Sequence, residues 1–268
     1  MTTSASERAE LLELANQVAS EAAALVLGGW RSRPRVDKKG RADLVTDFDR
    51  ASEDLVLERL AKLTPSIPVI GEERGGDASD RSGLRWYIDP IDGTTNFAHG
   101  HPFWCVALGL AEDDEPIVGA VVAPALSTTW LGQREAGSTG VALRNGVACS
   151  VSLIPDVGDA LVATGFPTDR SGPDNNFDSF FRVKLRAQAV RRCGSAALDL
   201  SLVADGTYEA YWERRLHAWD TMAASAIALA AGARITSLDG GRPDYHKGRL
   251  IASNGLVHEA LRLLVLGS

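Results

Sequence analysis

The sequence predicts an α+β protein of mixed sheets with helices between them, in two approximate halves, 1–150 and 151–268, that join near Pro155. Three observations carry this. Apolar residues recur at helical spacing near the N-terminus, and three apolar runs between 105 and 135 have the length of successive strands in an antiparallel meander. Beyond Pro155, strand-like and helix-like segments alternate.

From Glu7 to Leu27, the residues Leu11, Leu14, Val18, Ala22 and Leu25 form one apolar helical face, with Gly28-Gly29 as the stop. Acids interrupt this stretch and no basic n-region precedes it, which makes it an amphipathic helix rather than a signal peptide. A second helix runs from about Asp49 to Leu63, carries Leu55, Val56 and Leu60, and ends before Pro65. "IPVIGEE" is a strand running into acids, "GGDASDRSG" an exposed loop and "RWYID" a second strand. "CVALGLAED", "PIVGAVVAPAL" and "TTWLGQRE" form the meander. In the second half, "DALVATGF" and "AVRRCG" are strands flanking a helix from about Asn176 to Leu185. "SAALDLSLVADG" is a helix capped by Ser195 and stopped by Gly206. "YEAYWE" is a strand, and "AWDTMAASAIALAAGA" is a small-residue helix that must pack closely, with Asp220 near its start.

Composition narrows the function. With 35 Asp and Glu against 28 Lys and Arg, the formal charge is -7, so nonspecific attraction to nucleic acid or to an anionic membrane is not expected. No uncharged apolar run reaches membrane-spanning length. Cys105, Cys149 and Cys193 lack CxxC spacing and read as reduced core thiols of a cytoplasmic protein. Walker A, GxSxG and HExxH patterns do not occur, which disfavours a P-loop enzyme, a serine hydrolase and a zinc site.

The residues with chemistry are acids at strand ends and helix starts: Asp43, Asp47, Asp49, Glu72, Glu73, Asp89, Asp92 and Asp220. Asp89 and Asp92 flank Pro90 and precede Gly93, so the stretch is a shaped turn. Two carboxylates placed side by side make sense when both face one hard divalent cation such as magnesium. Gly93, Thr94 and Thr95 offer backbone amides to a phosphate at a helix start. On its own a D-x-x-D is a solvated turn, Asp43 or Asp47 reads as a helix cap, and Glu73 and the acids at 112–115 read as exposed.

Together "DLVTDFD", "GEE", "WYIDPIDGTTNF" and "WERRLHAWD" resemble, in order and spacing, the motifs of the inositol monophosphatase family of lithium-sensitive, magnesium-dependent phosphatases. The resemblance covers nearly the whole chain and implies a layered αβαβα sandwich, usually a homodimer. It implies that Glu72, Asp89 and the carbonyl of Ile91 bind one Mg2+, that Asp89, Asp92 and Asp220 bind a second, and that a third, weaker ion lies near Glu72. Thr94, hydrogen-bonded to Asp49, would orient and help deprotonate the attacking water. Gly194, Ser195, Ala196 and Glu213 would meet the rest of the substrate. Ser195 stands where many relatives carry Thr, and Arg214-Arg215 depart from the small or apolar residues of some relatives, leaving open a substrate with extra negative charge. The implied reaction is hydrolysis of a small phosphate monoester, foremost inositol 1-phosphate. Histidinol phosphate, fructose 1,6-bisphosphate and 3'-phosphoadenosine nucleotides are the alternatives within the family, and a regulatory or RNA-associated binding protein is the alternative outside catalysis.

Overall fold

The computed structural model describes residues 3–38, 44–77, 79, 81–167, 172 and 174–267. Asp43 lies outside them. The first half contains α1 (Ala5–Gly29), β1 (Val36–Lys38), β2 (Leu44–Thr46), α2 (Asp47–Leu63), β3 (Val69–Gly71), β4 (Leu84–Asp92), α3 (Thr94–Ala98), β5 (Cys105–Glu112), β6 (Glu115–Ala123), β7 (Thr128–Arg134), β8 (Gly140–Arg144) and β9 (Val147–Ala148). The second contains β10 (Leu161–Thr164), α4 (Phe177–Lys184), β11 (Ala189–Arg191), α5 (Ala196–Ala204), β12 (Ala210–Glu213), α6 (Ala218–Ala230), β13 (Arg234–Ser237), β14 (Leu250–Ser253) and α7 (His258–Leu266).

Local chemistry sets the ends of the long helices. Ser4 starts α1 with a capping box: its Oγ accepts the Glu7 N–H at 3.3 Å, and Glu7 accepts the Ser4 N–H at 2.7 Å. Gly28-Gly29, expected as the stop, instead remain helical, and the chain leaves the helix at Trp30, whose ψ is 132°. Two glycines weaken a helix without ending it when neither needs a left-handed conformation. The cap of α2 is Thr46 and not Asp47. Asp47 is exposed and pairs with Arg50 at 3.5 Å.

The two main sheets run in the order β3-β4-β5-β6-β7-β8-β9 and β11-β10-β12-β14-β13. The meander expected from the three apolar runs is β5, β6 and β7, antiparallel throughout. Three packed interfaces stack the elements into five layers. Val18, Ala22 and Val26 of α1 and Val56 and Leu60 of α2 cover one face of the seven-stranded sheet at Ile88, Leu108 and Val118. Leu198 of α5 and Met222 and Ile227 of α6 fill the middle, between Tyr87 and Val121 of the first sheet and Tyr211 and Ala252 of the second. Val183 of α4 and Leu261 and Val265 of α7 close the far face at Val162 and Ile251. The result is the αβαβα sandwich. Because β4 is covered on both faces, Trp86, Tyr87 and Ile88 are apolar in succession before the acids arrive.

The small-residue helix α6 packs as closely as its composition demands, and the sheet is shaped to receive it. Gly109, Gly119 and Gly132 lie in register across β5, β6 and β7. A Cβ at Gly119 would stand 2.0 Å from the Ala223 carbonyl oxygen, one at Gly109 2.5 Å from the Ala223 nitrogen, and one at Gly132 2.6 Å from Ile227 Cα. These are backbone contacts that no rotamer change relieves. Gly119→Ala should therefore destabilise the fold by about 1–3 kcal/mol through overpacking. Gly28→Ala, in a helix with open space around it, should be neutral or stabilising by roughly 0.5–1 kcal/mol. Urea unfolding of the two variants checks this; equal stabilities would contradict it.

Candidate active site

The acidic stretch is a strand with an irregularity, where its sequence predicts a shaped turn. β4 runs through Pro90 to Asp92, and its register with β5 shifts between Asp89 and Asp92. A bulge of this kind re-aims side chains. Proline is tolerated there because the pairing is already interrupted. Gly93 follows at φ 96°, where an added Cβ would lie 3.0 Å from the Phe103 carbonyl oxygen, so glycine is required on both conformational and steric grounds.

Four of the candidate acids each have one oxygen tied to a backbone amide. Asp89 Oδ1 accepts the Ile91 N–H at 3.0 Å. Asp92 Oδ2 accepts the Ala197 N–H at 2.6 Å and the Ser195 hydroxyl at 2.6 Å. Asp220 Oδ2 accepts the His217 N–H at 2.7 Å, and Asp49 Oδ2 accepts the Thr46 N–H at 2.7 Å. Three of these amides lie at the starts of α5, α6 and α2. Helix N-termini, with free N–H groups and a favourable dipole, thus hold the carboxylates in place.

Electrostatics show what is missing from the cluster. Burial, and then the charges of Glu72, Asp92, Asp220 and Asp49, all push Asp89 well above the usual carboxylate range. Burial likewise pushes Asp220 well above that range. Asp49 is raised to about 6 by burial against its hydrogen bonds with Thr46 and Thr94, and Asp92 to about 6 by burial against those with Ser195 and Ala197. Among the described residues, no three His, Cys, Asp or Glu side chains already form a metal-holding group. The acids are within electrostatic range of one another but repel. Hard oxygen donors in this state fit magnesium, whose positive charge would offset the repulsion among them.

Around them the other candidates fall into place. Thr94 Oγ1 lies 3.0 Å from Asp49 Oδ1 and 3.0 Å from the Ile91 carbonyl oxygen. Asp92, Gly194, Ser195, Ala196, Glu213 and Asp220 line one cavity of about 150 Å3, together with Gly165, Arg192 and Leu216. Glu213 is buried, accepts the Tyr211 hydroxyl, and is raised to about 7, mainly by that burial. Gly165 exists for Glu213: a Cβ there would stand 1.9 Å from its Oε2. Thr95 lies in the short α3 beside Thr94. Asn96 ties α3 to the loop before α5, donating to the Phe103 carbonyl at 2.7 Å and the Cys193 carbonyl at 2.8 Å.

Several expectations change. Arg214 is committed to the fold, donating to Asp174 at 2.9 Å and to Ser179 at 3.1 Å, so it is not a cation waiting for substrate. The guanidinium in the cavity is that of Arg192, which the sequence pattern places inside a strand. It stands just past the end of β11, and its charge lowers Glu213 and Asp199. A strand-end position was the available signal. Asp199 was read only as a helix residue, yet it is buried beside Glu213, and its Oδ1 has no hydrogen-bond partner among the described residues. Of the acids expected at the surface, Glu112 is buried, accepting the Thr3 N–H at 2.8 Å, and Glu73 is half-buried. All three cysteines are free, with Cys105 fully buried.

The sequence profile described as "Inositol monophosphatase family" matches residues 7–265. An inositol-1-monophosphatase of Synechocystis sp. is 38% identical over 252 residues, covering 93% of this chain and 86% of that protein. The solved inositol monophosphatase of Anabaena (Nostoc) sp. superposes with a TM-score of 0.85 at 35% identity, over 96% of each chain. The extragenic suppressor protein suhB of Bartonella henselae superposes with a TM-score of 0.86 at 29% identity, over 96% of this chain and 98% of that one.

The raised carboxylates give the site a pH signature. Below the folded-state values of Asp49 and Asp92, about 6, and while the upward-shifted Asp89 and Asp220 stay protonated, a divalent cation must displace protons. Magnesium affinity should therefore rise from pH 5.5 to 8 with protons released, as calorimetry in buffers of different ionisation enthalpy would register. An affinity flat across that range, with no proton release, contradicts the arrangement.

Proposed function

The chain belongs to the inositol monophosphatase family, and from this premise we propose that it is a magnesium-dependent phosphatase that hydrolyses a small phosphate monoester, foremost inositol 1-phosphate, to the alcohol and inorganic phosphate. The observation that carries the reading is the meeting of Asp89, Asp92 and Asp220, mutually repelling, with a cavity that ends at Glu213.

Glu72, Asp89 and the Ile91 carbonyl would hold one magnesium ion and Asp89, Asp92 and Asp220 a second, with a third, weaker one near Glu72, and these ions supply the Lewis acidity that activates water and neutralises the leaving alkoxide. The protein's own groups do the rest. Thr94 has one hydroxyl proton and two acceptors, so its lone pair is left to receive a hydrogen bond from the attacking water. Asp49, with a value near 6, is ionised at neutral pH and takes the proton that Thr94 relays. The amides of Gly93, Thr94 and Thr95 face the phosphate in this reading. Ser195 and Ala196 position the substrate through the start of α5.

Glu213 favours a polyol over an amine. Its value of about 7 leaves it only partly charged at neutral pH, Tyr211 already donates to it, and Arg192 shares the cavity. An ammonium would meet a guanidinium there, whereas a hydroxyl can donate to Glu213 in either state of charge. This sets inositol 1-phosphate ahead of histidinol phosphate. The reading extends to lithium inhibition and to a homodimer in the cytoplasm, a reducing compartment in which free thiols such as these persist.

Asp89→Asn should abolish magnesium-dependent phosphate release while the circular dichroism stays native, since an amide cannot serve as the shared anionic ligand. Near-normal release by this variant would sink the assignment. Thr94→Ala should lower kcat on the order of 10²-fold with KM little changed. Glu213→Gln should cost inositol 1-phosphate only a neutral hydrogen bond, about 0.5–1.5 kcal/mol in kcat/KM. A parent enzyme that cleaves histidinol phosphate and leaves inositol 1-phosphate untouched would overturn the substrate named here.

A further inference from the structure

One face of α2 touches both acidic segments. Asp49, Ser52 and Glu53 are spaced i, i+3 and i+4, which places them on one helix face, and all three are fully buried. Ser52 Oγ donates to the Pro90 carbonyl at 3.1 Å, inside the stretch from Asp89 to Asp92. Glu53 Oε2 accepts the Glu73 N–H at 2.8 Å, and its Oε1 accepts the Arg74 N–H at 2.8 Å. Those two amides follow Glu72 directly. The approach is so close that a Cβ at Gly71 would lie 2.1 Å from Glu53 Oε1 and would displace that carboxylate.

We propose that Ser52 and Glu53 are positioning residues for the cation site: Glu53 fixes the loop that carries Glu72, Ser52 fixes the segment that carries Asp89, and α2 thereby sets the separation of two carboxylates that a single cation must bridge. The inference rests on the reading of Glu72 and Asp89 as magnesium ligands. Glu72 and Asp89 repel each other without a cation. The bridge between Gly71 and Gly75 closes the Glu72 turn, and the two bonds to Glu53 brace the amides beside Glu72 against that repulsion. Bonds from backbone amides to a carboxylate are of the strong, charge-assisted kind.

Glu53→Gln tests this, because it keeps the volume but exchanges one acceptor for an NH2 group that faces an N–H. Outer supports of metal ligands change metal affinity by roughly 10- to 100-fold. The half-saturating magnesium concentration, measured by calorimetry without substrate, should rise by about tenfold or more on that scale. Hydrogen exchange at the Glu73 and Arg74 amides should accelerate, KM for the phosphate ester at saturating magnesium should hold, and added magnesium should restore turnover. A folded Glu53→Gln with parental magnesium affinity and parental exchange at those amides overturns the proposal, even when its melting temperature falls. Should Glu53→Gln not fold, Ser52→Ala carries the test: weakened magnesium binding with KM unchanged supports positioning, and parental binding overturns it. Absence of magnesium binding by the unsubstituted protein would instead defeat the metal reading on which this one rests.

Discussion

Repulsion among buried carboxylates is the constraint on which the rest of the structure depends. Asp89 lies within reach of the charges of four other acids, and burial alone already disfavours its ionised form. Such a group is stable in a fold only when it is protonated, bonded to the backbone or matched by a cation. The chain uses the second device at each of Asp49, Asp89, Asp92 and Asp220, and the family chemistry supplies the third. The same amide bonds that keep the acids from swinging away from each other keep them ready for an ion.

Much of the architecture serves that convergence. β4 delivers Asp89 and Asp92, α6 delivers Asp220, and α2 delivers Asp49. These elements come from different layers of the sandwich, so their meeting depends on how closely the layers approach. The three paired glycines of β5, β6 and β7 let the α6 backbone settle directly on the sheet, and that depth places Asp220 opposite Asp92. On the substrate side, Gly165 makes room for Glu213 in the same way. Small residues in this protein act at a distance from the chemistry, by setting where backbones meet.

What the sequence showed and what it hid follow from the range of the interactions. Ser195 as a cap, Asp220 near a helix start and the meander are local or periodic features, and each was legible. Short strands such as β13 and β14, four residues apiece, owe their burial to the neighbouring strands and to α7, so nothing in their own pattern announced them. The bulge in β4 reads from sequence as a shaped turn, because proline and glycine signal both alike. Arg214 and Arg192 exchanged roles for a reason invisible in one dimension: Asp174, 40 positions away, claims Arg214, while the end of β11 leaves Arg192 facing Glu213. The motif acids themselves were legible because their spacing is tied to strand ends. Their mutual repulsion, and the bonds from Glu53 that hold the Glu72 loop, required the folded chain.

The central claim is that these acids exist to share divalent cations. Crystals grown with manganese in place of magnesium, measured near the manganese absorption edge, test it most directly. The account predicts anomalous peaks that share Asp89: one bounded by Glu72 and the Ile91 carbonyl, another by Asp92 and Asp220. A map with no peak against Asp89, or with manganese found only on exposed acids elsewhere, would contradict it.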